Sequence, residues 1–219
     1  MTYKEQFVKF MADCGVLTFG DFTLKSGRKS PYFINAGNYN TGAALAKLGA
    51  FYAECFARNN IDAQTLLGPA YKGIPLVAST VVALKNMYNI DVNFCFDRKE
   101  EKDHGEGGWF VGKQPENDEK IAIIDDVSTS GKAIREILPK LKQVADVKVT
   151  SFIITADRME KTLHGELSAV QEIEREFGIK VFSIINIKDI IAALEDGLIT
   201  GAERLPAMKE YIAQYGAKY

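Results

Sequence analysis

The sequence predicts an α/β protein with a mostly parallel central sheet flanked by helices. From residue 65 onward, short apolar segments typical of strands alternate with segments of helical periodicity. Such alternation is typical of a parallel sheet that is covered on both faces. The chain has 219 residues without an internal repeat or a low-complexity segment, which favours a single domain over residues 1–219.

Local patterns place the individual elements along the chain. The apolar spacing of residues 7–11 predicts a short N-terminal helix, two strands follow near 16–24 and 31–35, and Thr41 is suited to cap the next helix. We then expect strands near 65–67, 92–96, 121–124, 147–155 and 181–185, and helices near 74–88, 134–141, 163–177 and 187–219, the last broken at Gly197 and Gly201.

Composition argues against several classes of protein. Hydrophobic residues make up 47% of the chain and charged residues 26%, as in a globular protein rather than a disordered one. The net charge of −2 gives no general attraction to nucleic acid or to an anionic membrane, so neither is expected as a partner. The longest uncharged apolar run, 74–84, is too short to span a bilayer.

The compartment follows from the N-terminus and the cysteines. The first ten residues carry charge in every turn and lack the apolar core of a signal peptide. Cys14, Cys55 and Cys95 are far apart and lack the spacing of a zinc or redox motif. We therefore expect a cytoplasmic protein with reduced thiols.

One segment, residues 121–136, carries the strongest functional signal. A buried strand ends at Asp125 and Asp126, and a run of small residues, 127–131, leads into a helix. Ligands bind at the carboxyl ends of strands in open α/β sheets, and the amides of a helix start form a cradle for phosphate. Two carboxylates beside a phosphate suit the vicinal hydroxyls of a sugar. The segment is therefore interpreted as a ribose 5-phosphate site, rather than as a helix start that is merely capped by acids.

Two further segments supply cations. Lys72 stands at a strand-to-helix turn, where it is suited to pyrophosphate, although a solvated lysine is the plainer interpretation. Residues 98–104 carry Arg98, Lys99, Lys102 and His104 ahead of several glycines. A charged run is usually a solvated surface, but glycines followed by an apolar triplet also indicate a mobile lid that closes over a polyanion.

Two other phosphate-binding motifs are excluded. Gly131 and Lys132 are followed by Ala133, and no glycine stands five residues before Gly131, so a Walker A loop is absent from the sequence. Phe110 stands where the third glycine of a dinucleotide fingerprint is required after Gly105 and Gly107.

The acid-pair segment resembles the motif with which phosphoribosyltransferases bind phosphoribosyl pyrophosphate (PRPP). Four ordered segments are similar to the orotate-specific branch of that family: FTLKSGRKSPYF (22–33), GPAYKGIPL (68–76), FDRKEEKDHGEGG (96–108) and DRMEKTLHGELSAVQEIEREFG (157–178). The resemblance implies a type I phosphoribosyltransferase fold with an N-terminal hood of about residues 1–40 and a long flexible loop of about residues 99–112. It also implies transfer of the phosphoribosyl group from PRPP to orotate, Mg²⁺ as cofactor, and a homodimer with shared active sites.

The resemblance also assigns roles to residues. Those implied to bind PRPP are Lys25, Tyr71, Lys72, Arg98, Lys99, Lys102, His104, Asp125, Asp126, Val127, Ser128, Thr129, Ser130, Gly131, Lys132 and Ala133. Those implied to bind orotate are Phe33, Ile34, Thr129 and Arg158. Lys102, Asp125 and Asp126 are the implied catalytic residues, and the loop is expected to reach the site of a neighbouring subunit.

Several alternatives remain open from the sequence. Arg158 also fits a salt bridge to Asp157 or Glu160, Phe33 a core position, and Lys25 a surface turn. The acid-pair motif is shared by phosphoribosyltransferases for other bases, and by non-catalytic regulators that sense PRPP. Such a regulator is expected to carry an added DNA-binding module, for which this chain has neither room nor a basic patch.

Overall fold

Strands and helices alternate through most of the chain, as the sequence predicts. The computed structural model describes residues 1–24, 26–102, 108–126 and 131–219. Its strands are β1 (Leu17–Thr23), β2 (Lys29–Ile34), β3 (Thr65–Gly68), β4 (Asn93–Lys102), β5 (Gly108–Gly112), β6 (Lys120–Ile124), β7 (Lys148–Asp157) and β8 (Lys180–Asn186). Its α-helices are α1 (Tyr3–Asp13), α2 (Gly42–Arg58), α3 (Gly73–Tyr88), α4 (Lys132–Val144), α5 (Ala169–Phe177), α6 (Ile187–Glu195) and α7 (Leu205–Tyr215).

The central sheet has six strands in the order β5-β4-β3-β6-β7-β8. All neighbouring strands are parallel except the edge strand β5, which is antiparallel to β4, so the predicted mostly parallel sheet is confirmed. The chain builds outward from β3 through β4 on one side, and returns to start β6 on the other side. The boundary between β3 and β6 is therefore the switch point at which open α/β sheets bind their ligands.

Helices cover both faces of this sheet, because its central strands are apolar on both sides. Leu66 and Leu67 are adjacent in β3 and both fully buried, yet they belong to two different hydrophobic clusters. The Leu66 cluster includes buried residues of α2 and α3, and the Leu67 cluster includes those of α4 and α5. Successive side chains of a strand point to opposite faces, so the two clusters lie on the two sides of the sheet.

Residues 1–40, predicted as the hood, divide into two parts. β1 and β2 form a separate antiparallel two-stranded sheet. Helix α1 packs instead against α2, where the rings of Phe7 and Phe51 lie 4.8 Å apart, and it joins the larger core. The capping box of Thr2 and Glu5 starts this helix.

The segment predicted as a loop over residues 99–112 is largely a β-hairpin, so the predicted bounds were wrong. β4 continues to Lys102, and β5 begins at Gly108 and pairs with it. Residues 103–107 lie outside the described part of the chain. Charged and apolar residues do not alternate at the end of β4, because the side chains of residues 99–102 are all exposed to solvent. The periodicity on which a strand prediction depends is therefore missing there.

Helix α5 is shorter than predicted, because it starts at Ala169 rather than near residue 163. The side chains of Ser168 and Gln171 form a capping box that fixes this start, and Leu163 is exposed in the preceding turn. The predicted break after residue 187 is confirmed between α6 and α7, where Gly197 and Gly201 both have positive φ. In the part of the chain that the structure describes, no helix combines the length and apolar character needed to cross a membrane.

Candidate active site

The acid pair predicted from the sequence lies at the carboxyl end of β6, beside the switch point. The backbone of both residues is held by neighbouring elements. Tyr52 of α2 donates its hydroxyl proton to the carbonyl oxygen of Asp125 at 2.6 Å. Thr155 of β7 donates both its backbone N–H, at 2.8 Å, and its hydroxyl, at 2.6 Å, to the carbonyl oxygen of Asp126. Both donor side chains come from buried positions, so the acid pair stands on a rigid support.

Lys72 approaches this pair from the turn between β3 and α3. A side chain on Gly68 would place its Cβ 2.2 Å from the carbonyl oxygen of Gly73, so only glycine allows the strand end and the helix start to lie this close. The turn directs Lys72 across the switch point. Its Nζ lies 2.8 Å from a carboxylate oxygen of Asp126.

The electrostatics of the pair are unequal. Burial, with the neighbouring charge of Asp126, raises the pKa of Asp125 to about 6. The hydrogen bond to Asp126 raises the pKa of Lys72 above its usual value. The site therefore holds a fixed ammonium–carboxylate pair beside a carboxyl group that titrates near neutral pH.

A cavity of about 170 Å³ opens at this point. Six of the predicted PRPP-binding residues line it: Tyr71, Lys72, Lys99, Asp125, Asp126 and Ala133. Lys99 Nζ lies 5.6 Å from the centre of the Tyr71 ring, within the range of a cation–π contact. Lys72, which follows β3, and Lys99 of β4 thus border the same cavity as the acid pair after β6. A sugar with several phosphates needs such cations for binding.

A second cavity, of about 220 Å³, adjoins the first and shares Lys72 and Asp126 with it. Its other lining residues come from the segment after β2, from α2, from α3 and from β7: Ala36, Gly37, Tyr39, Asn40, Leu45, Leu48, Pro75, Leu76 and Thr155. The Lys72–Asp126 pair therefore separates two spaces of different character, one bordered by several charges and one mostly apolar.

Other predicted phosphate ligands lie around the first cavity without lining it. Arg98 and Lys102 are on β4, with Lys102 exposed where the described part of that strand ends. Gly131 has a φ of +65° and precedes α4, and its backbone carbonyl accepts the first helical hydrogen bond from Arg135. Lys132 is exposed and lies 3.5 Å from Glu136.

Among the predicted orotate-binding residues, the three that the structure describes, Phe33, Ile34 and Arg158, line neither cavity. Phe33 is 38% exposed and its ring lies 5.5 Å from that of Phe22, so it is not the core residue that the plainer interpretation expects. Ile34 is half-buried against the main core. These two residues place an apolar surface on the small sheet.

Arg158 is buried and already paired. Its Nε donates to a carboxylate oxygen of Glu160 at 2.8 Å, which is one of the salt bridges that the sequence left open. Its guanidinium also lies 4.5 Å from the centre of the Tyr32 ring, and the Tyr32 hydroxyl donates to the same Glu160 at 2.9 Å. Arg28 extends this cluster to the small sheet by donating to the carbonyl oxygen of Lys161 at 2.7 Å.

Six predicted site residues lie outside the described part of the chain: Lys25, His104, Val127, Ser128, Thr129 and Ser130. Their assignments stay predictions.

The structure adds residues that the sequence did not single out. Tyr52 and Thr155 support the acid pair, and Asp97 and Glu136 line the first cavity. The sequence does carry a signal for Asp97, because a carboxylate that directly follows an apolar strand segment is expected at the carboxyl end of the sheet, where ligands bind. The sequence carries no such signal for Tyr52, since a tyrosine on the apolar face of a helix is normally a core residue.

The two acids also bear on metal binding. Among the residues that the structure describes, no cluster of three or more His, Cys, Asp and Glu side chains could hold a metal ion. Asp125 and Asp126 supply two carboxylates at the cavity wall. Mg²⁺ commonly takes one or two carboxylates, together with phosphate oxygens of the substrate and several waters. The donor set thus fits Mg²⁺ that arrives with a phosphorylated substrate.

Known proteins share this architecture over almost the whole chain. The model of the phosphoribosyl transferase domain matches residues 35–184. An orotate phosphoribosyltransferase of Vibrio vulnificus is 50% identical over 214 residues, covering 98% of this chain and 98% of the relative. One of Bifidobacterium animalis subsp. lactis is 47% identical over 226 residues and covers 97% of each chain. The crystal structure of the Francisella tularensis orotate phosphoribosyltransferase has a TM-score of 0.87 at 40% identity, covering 97% of this chain and 100% of that one.

Proposed function

Since this chain belongs to the orotate phosphoribosyltransferase family, we propose that it transfers the 5-phosphoribosyl group of PRPP to orotate. The products are orotidine 5′-monophosphate and pyrophosphate, in pyrimidine biosynthesis. The observation that carries this proposal is the acid pair Asp125–Asp126 at the switch point, with Lys72 beside it and a cavity bordered by cations in front. That arrangement supports binding of a sugar that carries phosphates on both sides.

The acid pair binds the ribose in this proposal. Carboxylates accept hydrogen bonds from the two ribose hydroxyls, and Tyr52 and Thr155 keep the backbone beneath them fixed. Residues 127–133 hold the 5-phosphate through backbone amides at the start of α4, supported by the left-handed conformation of Gly131. The ribose is thereby oriented with its anomeric carbon toward the base.

Cations stabilise the departing pyrophosphate. The bond from the anomeric carbon to a pyrophosphate oxygen breaks, the oxygen keeps the electron pair, and a ring nitrogen of orotate bonds to that carbon and loses its proton. The sugar passes through an oxocarbenium-like state, so rate acceleration comes mostly from positioning and charge stabilisation. Lys72 and Lys99 act within their own subunit, consistent with their places at the cavity wall. Arg98, Lys102 and His104 reach the site of the partner subunit, and Lys102 has the largest effect on rate.

Mg²⁺ is part of the proposal. When bound, it would neutralise negative charge on the pyrophosphate of PRPP. Asp125 and Asp126 are the residues that would hold it, because both carboxylates border the first cavity. The chain's own contribution is to orient the sugar and to hold these two carboxyl groups at the cavity wall.

The base is bound between the small sheet and the segment after β7. Phe33 offers a partly exposed ring and Ile34 an aliphatic surface to the flat pyrimidine, and Thr129 contacts the base from the phosphate loop. Arg158 recognises the orotate carboxylate through the part of its guanidinium that does not face Glu160. The excess of positive charge in the cluster of Arg28, Arg158 and Glu160 supports an acidic base over a neutral one.

Shared active sites require a homodimer. Several large apolar side chains are exposed in the second half of α3 and at the start of β4, namely Val82, Met87, Tyr88 and Phe94. Their exposure supports a contact with a second copy. The hairpin of β4 and β5 then projects its charged end toward the partner's site. We also place the protein in the cytoplasm, which suits its three unpaired cysteines.

The test is an absorbance assay of orotate consumption with PRPP and Mg²⁺. We expect turnover that requires all three components, and little turnover when uracil, adenine or hypoxanthine replaces orotate. Turnover with a purine base but not with orotate would overturn the orotate assignment. Tight binding of PRPP without any transfer would indicate a PRPP-sensing regulator instead.

A further inference from the structure

Asp97 is a buried carboxylate in the wall of the first cavity that the proposed reaction does not use. It stands on β4 directly before Arg98 and is 5% exposed. One carboxylate oxygen accepts a hydrogen bond from the backbone N–H of Ala70 at 2.6 Å. The other forms an ion pair with Nζ of Lys140. Asp97 therefore joins the turn before Tyr71 to helix α4.

Lys140 extends this connection to both strands of the hairpin. Its side chain is largely buried, and besides pairing with Asp97 its Nζ donates to the carbonyl oxygen of Arg98 at 2.8 Å. The same nitrogen lies 4.9 Å from the centre of the Trp109 ring on β5. The lysine thus fixes the base of the β4–β5 hairpin against α4.

Three segments of the candidate site meet in this one pair. Ala70 belongs to the turn that carries Tyr71 and Lys72. Asp97 immediately precedes Arg98 and Lys99, and Lys140 lies on the helix that begins at Lys132. A buried ion pair is often no more stabilising than well-packed apolar residues, so stability alone does not account for it. The pair is explained by its position, because it holds three segments that are distant in sequence at a fixed spacing.

The charge of Asp97 also needs a counter-ion for a functional reason. A carboxylate in the wall of a cavity that receives pyrophosphate would repel it. Lys140 cancels that charge while leaving the second carboxylate oxygen to hold Ala70. Removal of the lysine alone should therefore harm binding of the anion more than removal of both charges.

We propose that Asp97 and Lys140 are positioning residues for PRPP, which set the spacing of the Tyr71–Lys72 turn, the part of β4 that carries Lys99, and helix α4. This inference rests on the proposed function only in that the site binds PRPP. Asp97 and Lys140 contact each other, Ala70, Arg98 and Trp109 rather than the residues proposed to bind the base, so the affinity for orotate should be spared.

The experiment compares Asp97→Asn, Lys140→Met and the double variant with the wild type, with calorimetric Kd for PRPP and separate KM values for PRPP and orotate. We expect Lys140→Met to weaken PRPP binding about tenfold or more, because it leaves an unpaired carboxylate facing the anion. Asp97→Asn should weaken PRPP binding only about threefold, since the amide oxygen still accepts the hydrogen bond from the backbone N–H of Ala70. The double variant should bind PRPP better than Lys140→Met, and KM for orotate should change less than about twofold in all three.

Glu119→Gln is the matched control. Glu119 is 7% exposed and accepts hydrogen bonds from the Thr65 hydroxyl and the Glu116 backbone N–H, at the amino ends of β3 and β6 and thus at the other end of these strands from the site. Its loss should lower the urea midpoint without changing the Kd for PRPP. If Lys140→Met does not fold, Asp97→Asn and the double variant still decide the matter.

Native PRPP affinity in Asp97→Asn and the double variant would overturn the inference, as would equal losses for PRPP and orotate that follow the loss of stability. The proposed function is tested separately by turnover of the wild type. A wild type that binds PRPP but does not consume orotate would refute the transfer reaction and leave the comparison of PRPP affinities intact.

Discussion

Lys72 Nζ and a carboxylate oxygen of Asp126 are 2.8 Å apart, and this pair divides the two cavities of the candidate site. The lysine follows β3 and the aspartate follows β6, the two strands that flank the switch point. A ribose hydroxyl that binds Asp126 must compete with the ammonium group. Binding of pyrophosphate offers Lys72 a second anion, so the two halves of PRPP are recognised together.

Replacement of Lys72 should therefore affect PRPP more than it affects folding. The Lys72 side chain is 67% exposed, and exposed ion pairs contribute about 0–1 kcal/mol to stability. We expect Lys72→Gln to lower kcat/KM for PRPP by about 2–4 kcal/mol of transition-state binding, with a nearly unchanged urea midpoint. Lys85→Gln is the control, because Lys85 also pairs with an aspartate but lies in the last turn of α3. Equal kinetics for both variants would contradict this role.

The raised pKa of Asp125 predicts a pH dependence of stability. The folded protein keeps this proton up to pH about 6, whereas the unfolded chain releases it near pH 4. Between these values the folded state binds more protons, so the free energy of unfolding falls as pH rises from about 4 to about 6. Asp125→Asn lacks this titration. Its free energy of unfolding, relative to that of the wild type, should therefore rise by about 3 kcal/mol between pH 4 and pH 7. Urea unfolding of both proteins measures the difference, and a pH-independent difference would refute the raised pKa.

Thr155 should position Asp126 through its hydroxyl. We expect Thr155→Val, which removes only the bond to the Asp126 carbonyl, to raise KM for PRPP about three- to tenfold, and Thr155→Ser to restore most of the affinity. Thr80→Val is a matched control, because the buried Thr80 hydroxyl donates to the carbonyl of Leu76 at 2.7 Å within α3. Both valine variants should lose about 1 kcal/mol of stability, but only Thr155→Val should alter PRPP kinetics. A KM effect in the control of the same size would reduce the role to stability.

Arg158 can be tested separately from its salt bridge to Glu160. Arg158→Met leaves the Glu160 carboxylate largely buried without its nearest cation and should cost about 3 kcal/mol of stability. Arg158→Met/Glu160→Gln should recover most of that stability, yet both variants should lose about 2–5 kcal/mol of transition-state binding with orotate. Uracil, which lacks the carboxylate, should be a poor substrate of the wild type. Its kcat/KM should fall little further in the two variants. Recovery of orotate kinetics in the double variant would show that Arg158 serves only the fold.

Subunit mixing tests whether the hairpin acts across a dimer. Lys102→Ala and Asp125→Asn/Asp126→Asn should each be nearly inactive. After subunit exchange about half of the dimers are hybrids, and each hybrid has one intact site and one doubly damaged site if the sites are shared. We therefore expect recovery to about a quarter of wild-type activity. If exchange is verified by mass spectrometry and activity stays absent, the hairpin serves its own subunit.

The sequence by itself determined the sheet, its covering helices and the acid pair, because these depend on local patterns. Residues 121–124 are apolar without alternation, as a strand buried on both faces must be, and the two acids come directly after it. The breaks at Gly197 and Gly201 were equally visible, because glycine is the residue that readily adopts positive φ. Full-length similarity of four ordered motifs then gave the family.

Only the tertiary structure decided what lies across from each motif. The hairpin of β4 and β5 was missed because the charged end of β4 has no apolar alternation, and what marks it as strand is the pairing of Lys102 with Gly108 of β5. Asp97 and Lys140 are 43 residues apart in sequence, and nothing in either segment reveals that they meet. The sequence left Asp157 and Glu160 open as salt-bridge partners of Arg158, and in the structure Arg158 is buried beside Tyr32 and pairs with Glu160. Contacts of this kind depend on packing between distant elements, which a single sequence does not encode in any local period.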